Sequence, residues 1–249
     1  MSSENRFSDY DAIERIYLPA RKELYEIYLE ELEKLILQHL PKGAHIFDFC
    51  CGRGELAQLL IKKGYQVTGL DGSEVMLRCA RENAPSAEFI LDDARYFKLP
   101  PTFHAVVFIG NSLNDIISIE ELESVFRNLY VALLRNGLFV FELKLEEYYT
   151  SSMSVPTSRG DVENDFAWIE RYTYDPQKKV AQENFTKFQL IKEEWHRSDV
   201  TFLSKAYSQT EVQSVLEKVG FTEISIYDEE RDLGVDRSPG IACFVCRKP

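Results

Sequence analysis

The chain contains 249 residues, of which 45% are hydrophobic and 28% charged, with a net charge of −12. One full core fits this length, and the acidic balance disfavours a phosphate backbone, so we expect one globular domain that does not act on nucleic acid. No run of about 18 apolar residues and no signal-peptide core occurs, so no membrane partner is expected. Five cysteines, two of them adjacent, indicate reduced thiols in a cytoplasm.

The first part of the chain is predicted to be helical. Apolar residues recur at spacings of three and four over 11–40, and Pro19 is expected to divide this stretch into two helices. A short strand over 46–49 follows, then a turn with two glycines over 50–54 and a helix from 55 to 61. A strand that leads through a glycine turn into a helix N-terminus presents unpaired N–H groups to a ligand.

Strands and helices alternate after this turn. Apolar runs predict strands over 65–70, 87–91, 103–109 and 138–143. Capping residues and helical periodicity predict helices over 73–83 and 118–134. This order predicts an α/β fold with a Rossmann-like, doubly wound, mainly parallel sheet of seven strands.

The pattern changes after Tyr149. The Ser/Thr-rich stretch 150–160 is predicted to be a loop, and alternation up to residue 205 predicts an inserted antiparallel β-meander of about three strands. A capped helix over 208–220 and strands over 221–227 and 241–246 complete the sheet. We therefore expect one domain of three parts, listed by range: N-terminal helices 1–43, an α/β core 44–149 and 206–249, and the meander 150–205.

The glycine turn fits two classes of ligand. Read literally, Gly52 to Ala57 satisfies the dinucleotide fingerprint G-x-G-x-x-G/A, and Asp71 lies near the place of its ribose acid, as in a nicotinamide-dependent oxidoreductase. Asp48 inside the strand does not suit a pyrophosphate, because a buried acid there favours a cationic hydrogen-bond donor. Asp93, after the third strand, is placed to meet an adenine amino group. The oxidoreductase alternative gives neither Asp48 nor Asp93 a role.

Five segments resemble the class I S-adenosylmethionine-dependent methyltransferases. Segment 47–54, FDFCCGRG, resembles their D-x-G-C-G-x-G motif, and 70–77 resembles G-x-D-x-S-x-x-M-L. Segment 91–95 resembles G-D-A/M-R, 106–113 resembles the fourth strand of small-molecule N- and O-methyltransferases, and 211–221 resembles the late helix and strand. The resemblance implies methyl transfer from S-adenosylmethionine to nitrogen or oxygen of a small molecule, with 1–43 as a lid and the α/β core as the cofactor-binding part.

The resemblance also implies a set of cofactor-binding residues. They are Asp48, Cys50, Cys51, Gly52, Gly54, Asp71, Gly72, Met76, Asp93, Ala94 and Ile109. Asp48 is expected to hold the methionine ammonium, Asp71 both ribose hydroxyls, and Met76 the adenine face. This chain departs from the family pattern at Cys50 and Asp92, where glycines are usual. Each assignment has a structural alternative, such as a turn at Asp71 or core packing by Met76.

The acceptor side is expected to involve other segments. Asn111 at the exit of the fourth strand, with Tyr10 and Arg21 of the N-terminal helices, are the candidate substrate-binding residues. His196 and Tyr17 are the candidates for a catalytic group. The alternatives are surface positions on an amphipathic helix and a solvated strand histidine.

Metal chemistry is not expected. Cys243-x-x-Cys246 resembles half of a zinc or redox site, but its thiols should point to opposite faces of a strand. Methyl transfer needs no metal, because placement of the reacting atoms supplies most of the catalysis. A non-catalytic module that keeps the fold and the cofactor remains a third alternative, beside the methyltransferase and the oxidoreductase.

Overall fold

The computed structural model describes residues 22–110, 112–152, 157–235 and 238–249. The helices in these ranges are α1 (Lys22–Leu35), α2 (Glu55–Lys62), α3 (Glu74–Asn83), α4 (Ile119–Ala132), α5 (Glu146–Ser152), α6 (Gln209–Val219) and α7 (Glu229–Leu233). The strands are β1 (His45–Phe49), β2 (Gln66–Asp71), β3 (Glu88–Leu91), β4 (Phe103–Phe108), β5 (Leu133–Lys144), β6 (Thr157–Val162), β7 (Phe166–Asp175), β8 (Val180–Ile191), β9 (Glu194–Lys205), β10 (Thr222–Asp228) and β11 (Ile241–Arg247). None of these helices is both long and apolar enough to cross a membrane.

Seven strands form one sheet in the order β10-β11-β5-β4-β1-β2-β3. Its strands run parallel except β11, which is antiparallel to both of its neighbours. The Rossmann-like fold predicted from the sequence is confirmed. The strand order reverses between β1 and β4, and in open α/β sheets the crevice beyond the carboxyl ends at this point is where ligands bind.

Side chains of β1 divide between the two faces of the sheet. Phe47 and Phe49 enter an aromatic layer, in which Phe47 stacks on Phe103 with ring centroids 4.7 Å apart. Ile46 enters the opposite layer, which packs against α1 and α2. Asp48 follows Ile46 by two residues and therefore shares its face. An ionisable side chain thus lies within an otherwise apolar layer.

The inserted region forms a second, antiparallel sheet in the order β6-β7-β8-β9. The predicted antiparallel meander is confirmed, with four strands where about three are predicted. The loop predicted over 150–160 is wrong at both ends, because α5 extends to Ser152 and β6 begins at Thr157, and 153–156 lie outside the described residues. Every residue of β6 is exposed, so its sequence carries no apolar alternation. Backbone pairing with β7 makes this segment a strand, which periodicity alone does not reveal.

A buried amide takes part in the junction of the two sheets. Asn114, in the loop after β4, is 0% exposed. Its Nδ2 donates to the carbonyl oxygens of Lys144 at 2.8 Å and Lys205 at 2.9 Å, and its Oδ1 accepts from the Lys144 N–H at 3.1 Å. The Lys205 N–H donates to the Asn114 carbonyl oxygen at 2.6 Å. The ends of β5 and β9 are thereby fixed to the loop that follows β4.

Replacing Asn114 should therefore destabilise the fold strongly. We expect Asn114→Ala to lower the free energy of unfolding by about 2–4 kcal/mol, because three side-chain hydrogen bonds are lost and buried backbone groups lose partners. Asn128→Ala is the matched control, since Asn128 donates one bond to the Arg95 carbonyl oxygen, and it should cost about 1 kcal/mol. Urea unfolding followed by circular dichroism measures both. Equal losses would contradict the role assigned to Asn114.

Candidate functional site

A cavity of about 520 Å³ lies between the carboxyl ends of the parallel strands and the second sheet. Its first wall comes from the loops after β1, β2 and β3 and includes Cys50, Gly52, Asp71, Gly72, Met76, Asp93 and Ala94. Its second wall comes from β5, α5 and the second sheet and includes Lys144, Tyr148, Arg159, Tyr172, Glu183 and Ser204. Ile109, Gly110 and Asp115, beyond β4, also line it.

The turn after β1 is held by left-handed backbone. Cys50, Gly52 and Gly54 have φ values of 57°, 53° and 72°. A Cβ at Gly54 would lie 3.1 Å from Ala80, so this glycine permits close packing of the turn on α3, whereas a Cβ at Gly52 would meet no atom within 4 Å. Cys50 adopts this conformation despite its Cβ, at a cost of roughly 1–2 kcal/mol.

Cys51 and Gly54 support the turn from behind and do not line the cavity. The Cys51 side chain is buried in a small cluster with Leu77 and Ala80. A Cβ on Gly69 of β2 would lie 2.7 Å from Cys51 Sγ, so the thiol uses space that a glycine leaves free. Their predicted contact with the cofactor is through the backbone and stays a prediction, because the packing of these side-chain positions on α3 does not test it.

Asp71 connects two of the loops that form the first wall. Its Oδ2 accepts from the Gly52 N–H at 2.8 Å and its Oδ1 accepts from the Ser73 N–H at 2.9 Å. Ser73 in turn caps α3 by accepting from the Met76 N–H at 3.0 Å. A carboxylate can accept several hydrogen bonds at once, so Asp71 can hold these backbone groups and also contact a ligand in the cavity.

Asp48 is a buried carboxyl without a full set of partners. Its Oδ2 has no hydrogen-bond partner among the described residues, and it lies behind the turn rather than among the cavity-lining residues. Burial raises the pKa of Asp48 to about 8, with further contributions from Glu55 and Asp71. A cationic donor bound at the turn would favour the ionised form and would supply the missing partner.

Asp93 is held at the wall by an arginine that sequence reasoning did not select. Arg95 Nη2 lies 2.6 Å from Asp93 Oδ2, and Arg95 Nε donates to Asp93 Oδ1 at 3.0 Å. Arg95 also reaches Glu121 of α4 at 3.4 Å. This pairing raises the pKa of Arg95 above its usual value and fixes the loop after β3 beside Ala94.

Of the residues predicted for the acceptor side, His196 lies among the described residues. Asn111, Tyr10, Tyr17 and Arg21 lie outside the described residues. His196 is exposed on β9, opposite Gln189, and does not line the cavity. The structure therefore argues against His196 as a catalytic base, because the strand directs it to solvent.

The residues of the second wall were missed from the sequence. They lie on strands that pair only in the folded chain, with Tyr172 opposite Glu183 and Arg159 opposite Glu170. The sequence carries one sign of this wall, an ionisable residue at an inward position, since Ala181, Glu183 and Phe185 lie on the same face of β8. The thiols of Cys243 and Cys246 are predicted to point to opposite faces of a strand. This prediction is confirmed, because the two residues lie in different core layers.

Comparison with known proteins assigns this architecture. A family model described as a methyltransferase domain matches residues 46–137, the segment that contains the turn, Asp71 and Asp93. The chain is 26% identical over 200 residues to YqeM of Bacillus subtilis (strain 168), provisionally named a methyltransferase, with 77% of this chain and 79% of YqeM covered. The chain is a class I S-adenosylmethionine-dependent methyltransferase.

Two further likenesses place this methyltransferase among its relatives. It is 31% identical over 112 residues to the dTDP-3-amino-3,6-dideoxy-alpha-D-glucopyranose N,N-dimethyltransferase of Streptomyces fradiae, covering 45% of this chain and 44% of that enzyme. Its fold matches the crystal structure of an S-adenosylmethionine-dependent methyltransferase from Clostridium acetobutylicum with a TM-score of 0.73, 18% identity and 99% of both chains covered.

The first wall fits the cofactor of this methyltransferase. S-Adenosylmethionine supplies a methyl group carried on a positively charged sulfur. We propose that Asp71 accepts both ribose hydroxyls, that Met76 packs on adenine and that Asp93 and Ala94 meet its edge. Asp48 would complement the ammonium, directly or through water, which gives its unpartnered oxygen a donor. Gly52 leaves open space where a side chain would otherwise project.

Asp71→Asn should weaken cofactor binding. The variant keeps the shape of the side chain but loses the charge that strengthens its hydrogen bonds, so affinity should fall by about 1–3 kcal/mol. Asp161→Asn is the matched control, because Asp161 is an exposed acid on β6 that is not among the described residues lining the cavity. Calorimetry with S-adenosylmethionine and with its demethylated product measures both. Unchanged affinity in Asp71→Asn would locate the ribose elsewhere.

Asp48→Asn should make stability less sensitive to pH. The raised pKa means that the folded chain keeps the Asp48 proton between roughly pH 4 and 8, while the unfolded chain loses it. Wild-type stability should therefore fall as pH rises through this window, by up to about 5 kcal/mol from this group. Thermal unfolding from pH 4 to 9 should show a smaller fall in Asp48→Asn, with Asp161→Asn as control. Parallel curves for all three proteins would contradict this prediction.

Proposed function

We propose that this methyltransferase transfers the methyl group to an amine nitrogen of a small-molecule acceptor. The observation that carries the proposal is the part of the cavity where Glu183, Tyr172 and Ser204 of the second wall meet Asp115 of the loop after β4. Carboxylates and hydroxyls suit a protonated amine that carries further hydroxyl groups.

The size of the cavity supports a small acceptor. A volume of about 520 Å³ falls within the range of small-molecule sites, and cofactor and acceptor have to share it. The net charge of −12 works against a nucleic-acid acceptor. A relative that acts on an amino-sugar nucleotide, as the name of the Streptomyces fradiae enzyme states, supports nitrogen as the accepting atom.

Catalysis in this proposal depends on placement. The first wall fixes one reactant and the second wall, anchored through Asn114, fixes the other at a set distance and angle. Leu113, Ile116 and Phe202 add apolar surface to the cavity, which limits the access of water. Asp115 accepts from the Ser204 hydroxyl at 3.0 Å, which orders this part of the wall for an acceptor.

We extend the proposal to the location of the enzyme. None of the five cysteines forms a disulfide in the structure, and burial raises the pKa of Cys50, Cys51 and Cys246. Thiols that form no disulfide support a reducing compartment, and we include a cytoplasmic location in the proposal.

A paired acceptor panel tests the proposal. Wild-type enzyme and methyl-labelled S-adenosylmethionine are incubated with amino-sugar nucleotides, amino acids and small alkylamines, each beside the analogue in which hydroxyl replaces the amine. We expect label in at least one amine and none in its hydroxyl analogue. Transfer only to hydroxyl or carboxyl groups, or to RNA or protein, would overturn the proposal. Cofactor binding without transfer to any acceptor would favour a non-catalytic module.

A further inference from the structure

We propose that Glu183 is the catalytic base that removes a proton from the ammonium form of the acceptor. An ammonium nitrogen has no lone pair, so it cannot receive a methyl group until one N–H bond breaks. This inference rests on the proposed function, since only an amine that is protonated at rest needs such a base.

The position of Glu183 gives it access to the acceptor. Glu183 lies at an inward position of β8, between Tyr172 on β7 and Phe202 on β9, and all three line the cavity. Asp71 and Met76 line the same cavity on the first wall. A ligand between the walls therefore faces the proposed cofactor residues on one side and the Glu183 carboxyl on the other.

The other acids of the cavity are already engaged. Among the described lining residues, the acids are Asp71, Asp93, Asp115 and Glu183. Both oxygens of Asp71 accept backbone N–H groups, and Arg95 contacts both oxygens of Asp93. Asp115 accepts from the Ser204 hydroxyl and is the remaining competitor for the role of base.

The hydrogen bonds around Glu183 require a mobile proton. Tyr172 Oη lies 2.7 Å from Glu183 Oε1 and also hydrogen-bonds Glu170. One phenolic proton cannot serve two ionised carboxylates, so one carboxyl group must be protonated. Arg159 pairs with the fully buried Glu170 and keeps it ionised, which leaves the proton on Glu183.

The surroundings of Glu183 shift its pKa to a value suited to proton transfer near neutral pH. Burial and the neighbouring Glu170 raise the pKa of Glu183 to about 8, which is close to the pH at which a general base works best. The charged and titratable groups that act on it are Glu170 and Tyr172 from β7 and Lys144 from β5, and it acts in turn on Tyr149 from α5. Arg159 from β6 pairs with Glu170, and Asp115 from the β4–α4 loop lines the same cavity.

The step balances without another reactant. With Glu183 as carboxylate, the N–H bond of the ammonium breaks, its electron pair stays on nitrogen, and an O–H bond forms on Glu183. The neutral amine then has the lone pair that receives the methyl group, and Glu183 later returns its proton to water. Turnover should therefore rise with pH through the ionisation of Glu183, because the protonated acid cannot accept a proton.

Glu183→Gln tests the role, with Glu194→Gln as the matched control on the exposed end of β9. With methyl-labelled S-adenosylmethionine and the amino-sugar nucleotide of the panel, kcat/KM of Glu183→Gln should fall about 100-fold, while Glu194→Gln keeps the wild-type value. The wild-type rise in kcat near pH 8 should be absent from Glu183→Gln and partly restored in Glu183→Asp. With a fluorinated amine as acceptor, which is neutral at assay pH and needs no base, the loss of kcat/KM in Glu183→Gln should be less than about 10-fold.

Carbon-13 titration of glutamate-labelled enzyme tests the same inference without an acceptor. One glutamate carboxyl should titrate near pH 8 in the wild-type protein and be missing from Glu183→Gln, with thermal unfolding confirming that both are folded. Full turnover by Glu183→Gln, a loss in Asp115→Asn alone, or titration of every glutamate below about pH 6 would overturn the inference. Transfer by the wild-type enzyme to hydroxyl acceptors alone would overturn the proposed function itself. This outcome can be told apart from the others, because the acceptor panel reveals it before any variant is compared.

Discussion

The buried amide of Asn114 is the interaction on which the geometry of this methyltransferase depends. The parallel sheet ends in loops that can hold a cofactor, but a transferase also needs a second surface at a fixed distance. Asn114 supplies that constraint, because its side chain bonds the backbone at the ends of both β5 and β9. Full burial makes these bonds costly to break, since no water can replace them. The cavity is therefore a property of the joined sheets.

Electrostatics then decides what the cavity accepts. Asp71, Asp93, Asp115 and Glu183 line it, and Asp48 lies just behind. After burial itself, Asp71, Asp48, Asp115 and Asp93 raise the pKa of the Cys50 thiol, which lines the same cavity. Arg53, Arg95, Lys144 and Arg159 also line the cavity, so a cation is favoured where a ligand meets the carboxyl groups rather than by a net negative charge. A sulfonium cofactor and an ammonium acceptor are both cations, so both would bind through carboxyl groups.

The two walls use carboxyl groups in different ways. Asp71 is tied to backbone N–H groups through both of its oxygens, which fixes it as an acceptor of hydrogen bonds. Asp48 is buried and Glu183 is half-buried, and each has a pKa of about 8, so each can change charge when a cation arrives. Hydrogen-bond acceptors that are fixed in place position a ligand, whereas a carboxyl group that holds a proton can change its charge when the ligand binds. Glu183 also has Tyr172 and Glu170 to share its proton, whereas Asp48 has no such side chain.

The sequence by itself determined the parallel sheet, the glycine turn and the acids at the ends of β1, β2 and β3. These features are local, because apolar runs, capping residues and glycine spacing act within a few positions along the chain. Only the tertiary structure decided that Cys51 and Gly54 face α3, that His196 faces solvent and that the wholly exposed β6 is a strand. It also brought Glu183 to Tyr172 and Asn114 to Lys205, pairings across 11 and 91 residues. Contacts of this kind depend on strand register and on the junction of two sheets, which no local pattern of residues encodes.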